Sequence, residues 1–127
     1  MNTRLKIALA IVAGTALGAA AVQGLHAQAK PKAYTVAETE LLDAAAQAAY
    51  TPLIRAAQAA AGARNFRTAG GRVVALEGAA PKRVAIAEWD SLEQAQAFYN
   101  SKAWKDLAPQ RDKALKTIRR YVVEAQN

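Results

Sequence analysis

Two hydrophobic periods alternate along the chain and predict its secondary structure. From Ala33 to Glu40, successive side chains alternate with a period of two, which predicts a strand. From Ala44 to Ala61, apolar residues recur at helical spacing, with Asp43 as a suitable N-cap and Gly62 as a suitable stop. This run predicts the first helix. Pro52 lies inside it and predicts a kink or a later start, because proline removes a backbone donor.

A hairpin and a further strand follow. Arg64 to Thr68 and Arg72 to Glu77 flank Gly70-Gly71, whose freedom at positive φ suits a tight reversal. Val84 to Trp89 alternates again, with Val84, Ile86 and Glu88 on one face and alanines and Trp89 on the other. The pattern therefore predicts a hairpin and then a central strand.

The last third of the chain predicts two helical segments and a strand. Ser91 is the N-cap of the first segment, and Gln94 three residues later completes a capping box. Ser101 caps the second segment, in which Trp104, Leu107, Arg111 and Leu115 recur at helical spacing and Pro109 limits the first turn or marks a break. Ile118 to Glu124 is rich in strand-forming residues and predicts the final strand.

This order of elements predicts an α+β fold of ferredoxin-like plan, β-α-β-β-β-α-β, with an added hairpin strand. Strands joined by a right-handed helical crossover run parallel in a sheet. On this reasoning the first strand and the Val84 strand are expected to be parallel neighbours, and the last strand is expected to run antiparallel beside the first.

Residues 1–29 have the features of a secretory signal and are treated apart from the domain at 30–127. Arg4 and Lys6 precede the uncharged run Ile7 to Val22, and Ala27-Gln28-Ala29 offers small residues at a cleavage site after Ala29. This apolar run is shorter than the roughly 20 residues that a transmembrane helix needs to cross a bilayer. The sequence therefore predicts a periplasmic or secreted protein without stable membrane insertion after cleavage.

Composition indicates one small domain that is completed by a second copy. Lys30 to Asn127 is 98 residues with 15 Lys and Arg against 10 Asp and Glu, a net charge of +5 that is too scattered to predict nucleic-acid binding. Only 18 of these residues are Val, Ile, Leu or Phe, whereas 25 are alanine. Because so thin a core buries little apolar surface, a homodimer is expected.

Several kinds of chemistry are excluded by residue type. The single histidine, His26, lies in the signal segment, and the chain has no cysteine. The domain therefore lacks the ordinary ligands of zinc and a nucleophile activated by histidine. It also lacks a phosphate-binding glycine loop and a dinucleotide motif. We expect no metal and no cofactor.

Glu38 and Glu88 are the first candidates for acid-base chemistry, together with Tyr50. If the two strands are parallel neighbours, both carboxylates lie side by side at one end of the sheet, and one of their pKa values rises unless a cation pairs with them. The alternative is a structural ion pair in which Arg119 or Arg120, on the last strand, lies beside Glu38.

A second set of candidates combines aromatic residues with arginines. Aromatic side chains can line a cavity for an apolar or aromatic ligand, and Arg111 or Arg83 can hold its carboxylate. The alternative is that the aromatic side chains form only core and interface. The candidate ligand-binding residues are Tyr34, Tyr50, Arg83, Tyr99, Trp104 and Arg111.

The domain resembles the family of domain of unknown function 1330 (DUF1330), a branch of the dimeric α/β-barrel superfamily. The matching residues are Ala33-Tyr34, Asp43, Tyr50, Gly62-Ala63-Arg64, Leu76-Glu77-Gly78, Arg83, Glu88, Ser91, Ala95, Tyr99, Ser101, Arg111 and Val123-Glu124. Thr68-Ala69 stand where that family has an arginine and a glycine before Gly70. The resemblance implies a homodimer whose sheets face each other, and it implies no established reaction.

Three functions remain open at this point. The first is an exported homodimer that binds a small organic acid or aromatic molecule. The second is a cofactor-free enzyme, oxygenase- or isomerase-like, that uses a glutamate and Tyr50 as acid and base. The third is a structural or interaction protein of the cell envelope, which would present an exposed apolar patch of several hundred Å².

Overall fold

A four-stranded sheet organises residues 30–127, the part of the chain that the computed structural model describes. The predicted signal segment at 1–29 lies outside the described residues. The elements, in chain order, are β1 (Ala33–Leu41), α1 (Ala44–Ala60), β2 (Arg64–Phe66), β3 (Arg83–Trp89), α2 (Leu92–Tyr99), α3 (Lys102–Lys105), α4 (Ala108–Ala114) and β4 (Leu115–Glu124).

The strand β1 lies between β3 and β4 and is antiparallel to both. The expected β4 neighbour is confirmed, but the expectation that β3 runs parallel to β1 is wrong. Helix α1 connects β1 to β2, so β1 and β2 are the parallel pair, and β3 is inserted between them. Because a reversal separates β2 from β3, β3 runs opposite to both of its neighbours.

Helix α1 begins and ends where the sequence predicts. The carboxylate of Asp43 accepts a hydrogen bond from the backbone N–H of Ala46 at 2.9 Å. Gly62 has φ +93° and ends the helix in the left-handed region that favours glycine. A Cβ at this position would approach the side-chain nitrogen of Gln94 to 2.5 Å, so the start of α2 packs closely on the end of α1. Pro52 lies inside the helix, which begins at Ala44, so the alternative of a later start at this proline is wrong.

The strand β2 pairs with a different segment from the one that the predicted hairpin required. A turn does form at Gly70-Gly71, where the N–H of Gly71 donates to the carbonyl of Thr68 at 2.8 Å, but β2 pairs with β3 and not with Arg72 to Glu77. That segment is not a strand, because its apolar side chains meet no second layer: Leu76 is 95% exposed. The added hairpin strand of the predicted plan is therefore not formed.

The predicted second helical segment is split in two. Ser101 caps α3, and its hydroxyl accepts from the N–H of Trp104 at 3.3 Å. Pro109 lies in the first turn of α4, where proline is tolerated. Leu115, which was assigned to the helix, instead begins β4, so the last strand starts earlier than the predicted Ile118.

The side of the sheet that faces the helices holds the core. Along β1, Ala33, Thr35, Ala37 and Thr39 are all buried and their alternate neighbours are not. One cluster at the Ala33 end contains Trp89, Ala95 and Phe98, and a second at the Leu41 end contains Tyr50, Ala114 and Leu115. This arrangement of helices on one side of an antiparallel sheet confirms the α+β, ferredoxin-like fold class.

The opposite side of the sheet carries no helix in residues 30–127. We call it the open face. Val36 lies in a row with Ile86, Phe66 and Tyr121, and of these Phe66 is 41% and Tyr121 is 49% exposed. Within the same residues, no helix has the length and hydropathy needed to cross a membrane.

Candidate functional site

The two candidate carboxylates are not neighbours, which corrects the prediction that they lie side by side. Glu38 is opposite Val84, whereas Glu88 is opposite Tyr34. The separation along the strands is therefore about 13 Å, because four residues rise about 3.3 Å each. The error follows from the strand direction: in a parallel pair the two glutamates meet, and in an antiparallel pair they lie at opposite ends of the open face.

Each carboxylate has its own arginine. Arg119 donates to Glu38 from Nε at 2.6 Å and from Nη2 at 3.0 Å, and Arg64 Nε donates to Glu88 at 3.0 Å. These hydrogen bonds lower the pKa of both carboxyl groups from the ordinary glutamate value. The structural ion pair of Glu38 with Arg119 is confirmed, and the raised pKa that acid catalysis would need is not found.

A cavity of about 220 Å³ lies between α1 and the helix-facing side of the sheet. Its floor includes Ala37 on β1 and Ala85 and Ala87 on β3. Since Ala37 is the direct neighbour of Ala85, three short side chains meet where larger ones would fill the space below α1. The high alanine content, interpreted from the sequence as a thin core, thus opens a cavity between the two hydrophobic clusters.

Aromatic side chains form part of the wall. Tyr50 from α1, Tyr99 from α2 and Trp104 from α3 all line the cavity. The rings of Tyr99 and Trp104 meet edge to face, with centroids 4.8 Å apart at 74°. Thr35 holds this wall in place, because its Oγ1 accepts from Trp89 Nε1 at 3.1 Å and from the Tyr99 hydroxyl at 3.4 Å.

The charge of the cavity is positive. The lining contains no aspartate or glutamate of residues 30–127. Within that range, none of the lining arginines is within ion-pair distance of a carboxylate. These arginines are Arg55, Arg67, Arg83 and Arg120.

Arg55 and Arg67 are exposed and Arg83 and Arg120 are partly buried, and Arg120 is the one that contacts the aromatic wall. Its guanidinium carbon lies 4.6 Å from the ring centroid of Trp104, and the guanidinium carbon of Arg111 lies 3.9 Å from the same centroid. Burial lowers the pKa of Arg120 from its usual value, although an arginine remains charged at neutral pH. Two guanidinium groups therefore lie against the indole ring of Trp104.

Arg111 lines a second, more open cavity of about 400 Å³, which shares Thr35, Tyr99, Trp104 and Arg120 with the first. Its side chain is 13% exposed, and its Nη1 is buried without a hydrogen-bond partner among the described residues. Its ion-pair partner, Asp112, lies 3.7 Å from Nε and is mostly exposed. Tyr99 and Trp104 therefore line two neighbouring cavities, and each cavity is lined by arginines and by no carboxylate of the described residues.

Two residues that line the first cavity each have a side-chain oxygen that is buried without a hydrogen bond within residues 30–127: Thr39 Oγ1 and Gln47 Oε1. Tyr50 is buried nearby, and this burial raises the pKa of its hydroxyl, although Arg111 acts in the opposite direction. Tyr50 therefore stays protonated at neutral pH and is available as a hydrogen-bond donor or acceptor.

The structure brings together only part of the set of candidate ligand-binding residues. Tyr50, Tyr99, Trp104 and Arg83 line the first cavity, and Arg83 lies near its mouth beside Gly70. Arg111 lines the second cavity. Tyr34 lies on the open face, where its ring stacks on Phe66 at 6.5 Å.

Sequence reasoning did not place Thr39, Gln47 or Arg120 in a site. Arg120 could have been found, since consecutive residues of a strand point to opposite faces and Arg119 is the one beside Glu38. Gln47 lies one helical turn before Tyr50 and shares its face. Thr39 belongs to the buried row of β1.

A metal site is not assembled within residues 30–127, where no three Asp, Glu, His or Cys residues come together. Glu38, Glu88 and Asp90 lie in separate ion pairs. The described residues therefore form no oxygen cluster of the kind that binds Ca²⁺ or Mg²⁺.

Solved structures share the fold of this chain. A protein of unknown function from Rhodopseudomonas palustris, RPA0582, is 16% identical with a TM-score of 0.60, covering 77% of this chain and 85% of that one. Its methylated form gives the same identity and TM-score over 77% and 83%. SnoaB, a cofactor-independent oxygenase from Streptomyces nogalater, is 11% identical with a TM-score of 0.49 over 76% and 95%.

Comparison with curated proteins gives no match. Residues 32–126, in contrast, match the family described as Domain of unknown function (DUF1330), which spans all four strands and four helices of the structure. The residues from which the resemblance was recognised, among them Asp43, Tyr50 and Arg111, lie within this match. The chain belongs to the DUF1330 family.

Proposed function

We propose that this protein is an exported homodimer that binds a small organic anion in the cavity below α1. The observation that carries the proposal is the charge of the cavity: four arginines line it, and no carboxylate of the described residues lines it. A folded protein gains little from gathering like charges around a partly enclosed space, so an anionic ligand gives this arrangement a function.

The size of the cavity restricts the ligand. At about 220 Å³ it is smaller than the 300–1,000 Å³ that is typical of sites for drug-sized molecules. The aromatic wall of Tyr50, Tyr99 and Trp104 favours a flat apolar body. A small organic acid, above all one with a single aromatic ring, satisfies both the shape and the charge.

The experiment compares benzoate with benzamide, its neutral analogue of nearly the same shape, by isothermal titration calorimetry. Benzoate is expected to bind, and benzamide to bind at least tenfold more weakly, because a charge-assisted hydrogen bond is worth more than a neutral one. Arg120→Gln is expected to weaken benzoate binding, whereas Arg72→Gln, on the exposed loop outside the cavity, is the matched control. Equal binding of the two compounds would contradict the proposal.

The enzyme hypothesis loses its acid-base pair in this geometry. Glu38 and Glu88 project from the open face, and Tyr50 lies in the cavity on the other side of the sheet. A proton cannot pass directly between groups that the sheet separates. Binding is therefore the function that the site supports.

The open face is the surface proposed for the homodimer. It presents a row of apolar side chains, including Val36, Ile86 and Phe66, with the ion pairs of Glu38 and Glu88 on either side of this row. Pairing of two such faces buries the row. Light scattering is expected to give twice the chain mass, and Ile86→Lys to give a monomer. A wild-type monomer with this face exposed would instead favour an interaction protein of the cell envelope.

Export is proposed from the basic and apolar segments that precede Ala29. Intact mass of the protein recovered from the periplasm or the medium is expected to correspond to a chain that starts at Lys30. Recovery of the uncleaved chain from the cytoplasm alone would contradict this part of the proposal.

A further inference from the structure

Resting on the proposed function, the geometry points to a narrower ligand class: an aromatic carboxylate whose ring bears a hydrogen-bond donor, a hydroxyl or an amino group, on the side opposite the carboxylate. The carboxylate lies at the guanidinium of Arg120 beside Trp104, and the donor lies at Gln47 Oε1 and Thr39 Oγ1.

The carboxylate end follows from the two guanidinium groups on Trp104. Like charges this close to one ring repel each other, and Asp112, which lies 3.7 Å from Nε of Arg111, is mostly exposed to solvent. An anion beside Arg120 relieves this repulsion. Thr35 adds a neutral donor, because its oxygen already accepts from Trp89 and Tyr99 and its own proton remains free to donate into the cavity.

The donor end follows from the orientation of the Gln47 amide. The hydroxyl of Thr51 donates its only proton to the backbone carbonyl of Gln47 at 2.8 Å, so Thr51 Oγ1 can only accept. It accepts from Gln47 Nε2 at 2.9 Å, which fixes the amide with Oε1 on the other side. Gln47 Oε1 is a pure acceptor, buried and without a partner in the described residues, so the ligand group opposite it must donate.

The distance between the two ends matches one ring. Thr35, beside the carboxylate end, and Thr39, at the donor end, lie four residues apart on the same face of β1. Four strand residues span about 13 Å. A para-substituted benzoate measures roughly 6–7 Å from its donor atom to its carboxylate oxygens, and a hydrogen bond of about 3 Å at each end brings the span to about 12–13 Å, so one aromatic ring reaches both ends without a linker.

A second carboxylate is the competing chemistry for the donor end. Arg83 lies opposite Thr39 and would attract a second carboxylate of the ligand, but the guanidinium of Arg83 is near Gly70 at the cavity mouth. Gln47 Oε1 is an unpaired acceptor and would repel that carboxylate. A hydroxyl both donates and accepts, so it satisfies Gln47 and Thr39 together.

The test titrates the purified protein with 4-hydroxybenzoate, 4-methoxybenzoate, benzoate and terephthalate by calorimetry. 4-Hydroxybenzoate is expected to bind about tenfold more tightly than benzoate or 4-methoxybenzoate, because only it supplies a proton to the buried acceptor. Gln47→Met is expected to reduce the ratio of 4-hydroxybenzoate affinity to benzoate affinity from about tenfold to about one, because the acceptor is removed. Gln110→Met, on the exposed face of α4, is the matched control and is expected to retain the preference.

The outcomes separate this inference from the function on which it rests. Equal affinity for the three monoacids, tightest binding of terephthalate, or a preference that survives Gln47→Met would overturn the inference while benzoate binding still supports the proposed function. Absence of binding by all four acids would overturn both. Because the ligand series on the wild-type protein decides the matter by itself, the test does not depend on the folding of a variant.

Discussion

The substitution Ala37→Val fills part of the space below α1, and the same change at Ala33 provides the comparison. Both alanines lie on β1, point to the helix side of the sheet and are nearly or fully buried, at 7% and 0% exposure. Ala37 lines the cavity, whereas Ala33 packs in the cluster of Trp89, Ala95 and Phe98. Two additional methyl-sized groups therefore enter an open space at one position and a filled core at the other.

The expected magnitudes have opposite signs. Burial of a methyl-sized group contributes about 0.8 kcal/mol, so the two added at Ala37 stabilise the fold by up to about 1.5 kcal/mol, and the β-branched side chain suits a strand. For a domain of this size, 1 kcal/mol corresponds to about 4–8 °C in Tm. At Ala33 the same groups overpack the core, which costs about 1–3 kcal/mol.

Urea unfolding followed by tryptophan fluorescence measures the free energy of unfolding of both variants, and calorimetry measures their affinity for benzoate. Ala37→Val is expected to raise the free energy of unfolding and to weaken ligand binding, because it occupies the floor of the cavity. Ala33→Val is expected to lower the free energy of unfolding. Comparable destabilisation by the two substitutions would refute the reasoning, since it would mean that Ala37 is packed as tightly as Ala33.

Three further predictions concern the fold. Trp89→Phe is expected to destabilise it by about 1–2 kcal/mol in chemical unfolding, because the hydrogen bond to Thr35 is lost and a space is left in the core; a change below 0.5 kcal/mol would contradict this. Ser91→Ala removes the oxygen that caps α2 and is expected to cost about 1 kcal/mol, with Ser91→Asp retaining the wild-type value. Since the folded-state pKa values of Glu38 and Glu88 are lowered, their contribution to stability is present above about pH 5 and is lost as the pH falls through the folded values. The free energy of unfolding, measured between pH 7 and pH 3, is expected to show this loss. The loss is expected to be smaller at high salt and in the double variant Glu38→Gln with Glu88→Gln. A pH profile of the double variant equal to that of the wild type would contradict the prediction.

Local structure was largely predictable from the sequence because its signals are local. The side chains of Asp43 and Ser91 cap the helices from within one turn, and the alternation of β1 and β3 needs only the period of two. The order of strands is different, because it depends on which segment finds which partner. The right-handed crossover rule was applied to β1 and β3, but the strand that α1 joins to β1 is β2, and β3 reverses after it, so β3 runs antiparallel to β1.

The candidate site was predictable only in part, for a related reason. Aromatic residues and arginines could be named from the sequence, but the side of the sheet on which each lies depends on the strand partners. Tyr34 and Glu88 were placed near function and lie on the open face. Arg120 was considered only as a counter-ion, and its place in the cavity appears once Arg119 is seen to occupy the other face.

The position of β1 beside β4 also governs how the chain can fold. The first strand completes its pairing only with the last, and the ion pair of Glu38 with Arg119 joins residues 81 positions apart. A chain that lacks Leu115 to Glu124 therefore has β1 with one edge unpaired and the cavity without Arg120. Because pairings between residues distant in sequence form slowly, we expect the domain to complete its sheet and its cavity only when this final ten-residue strand pairs with β1.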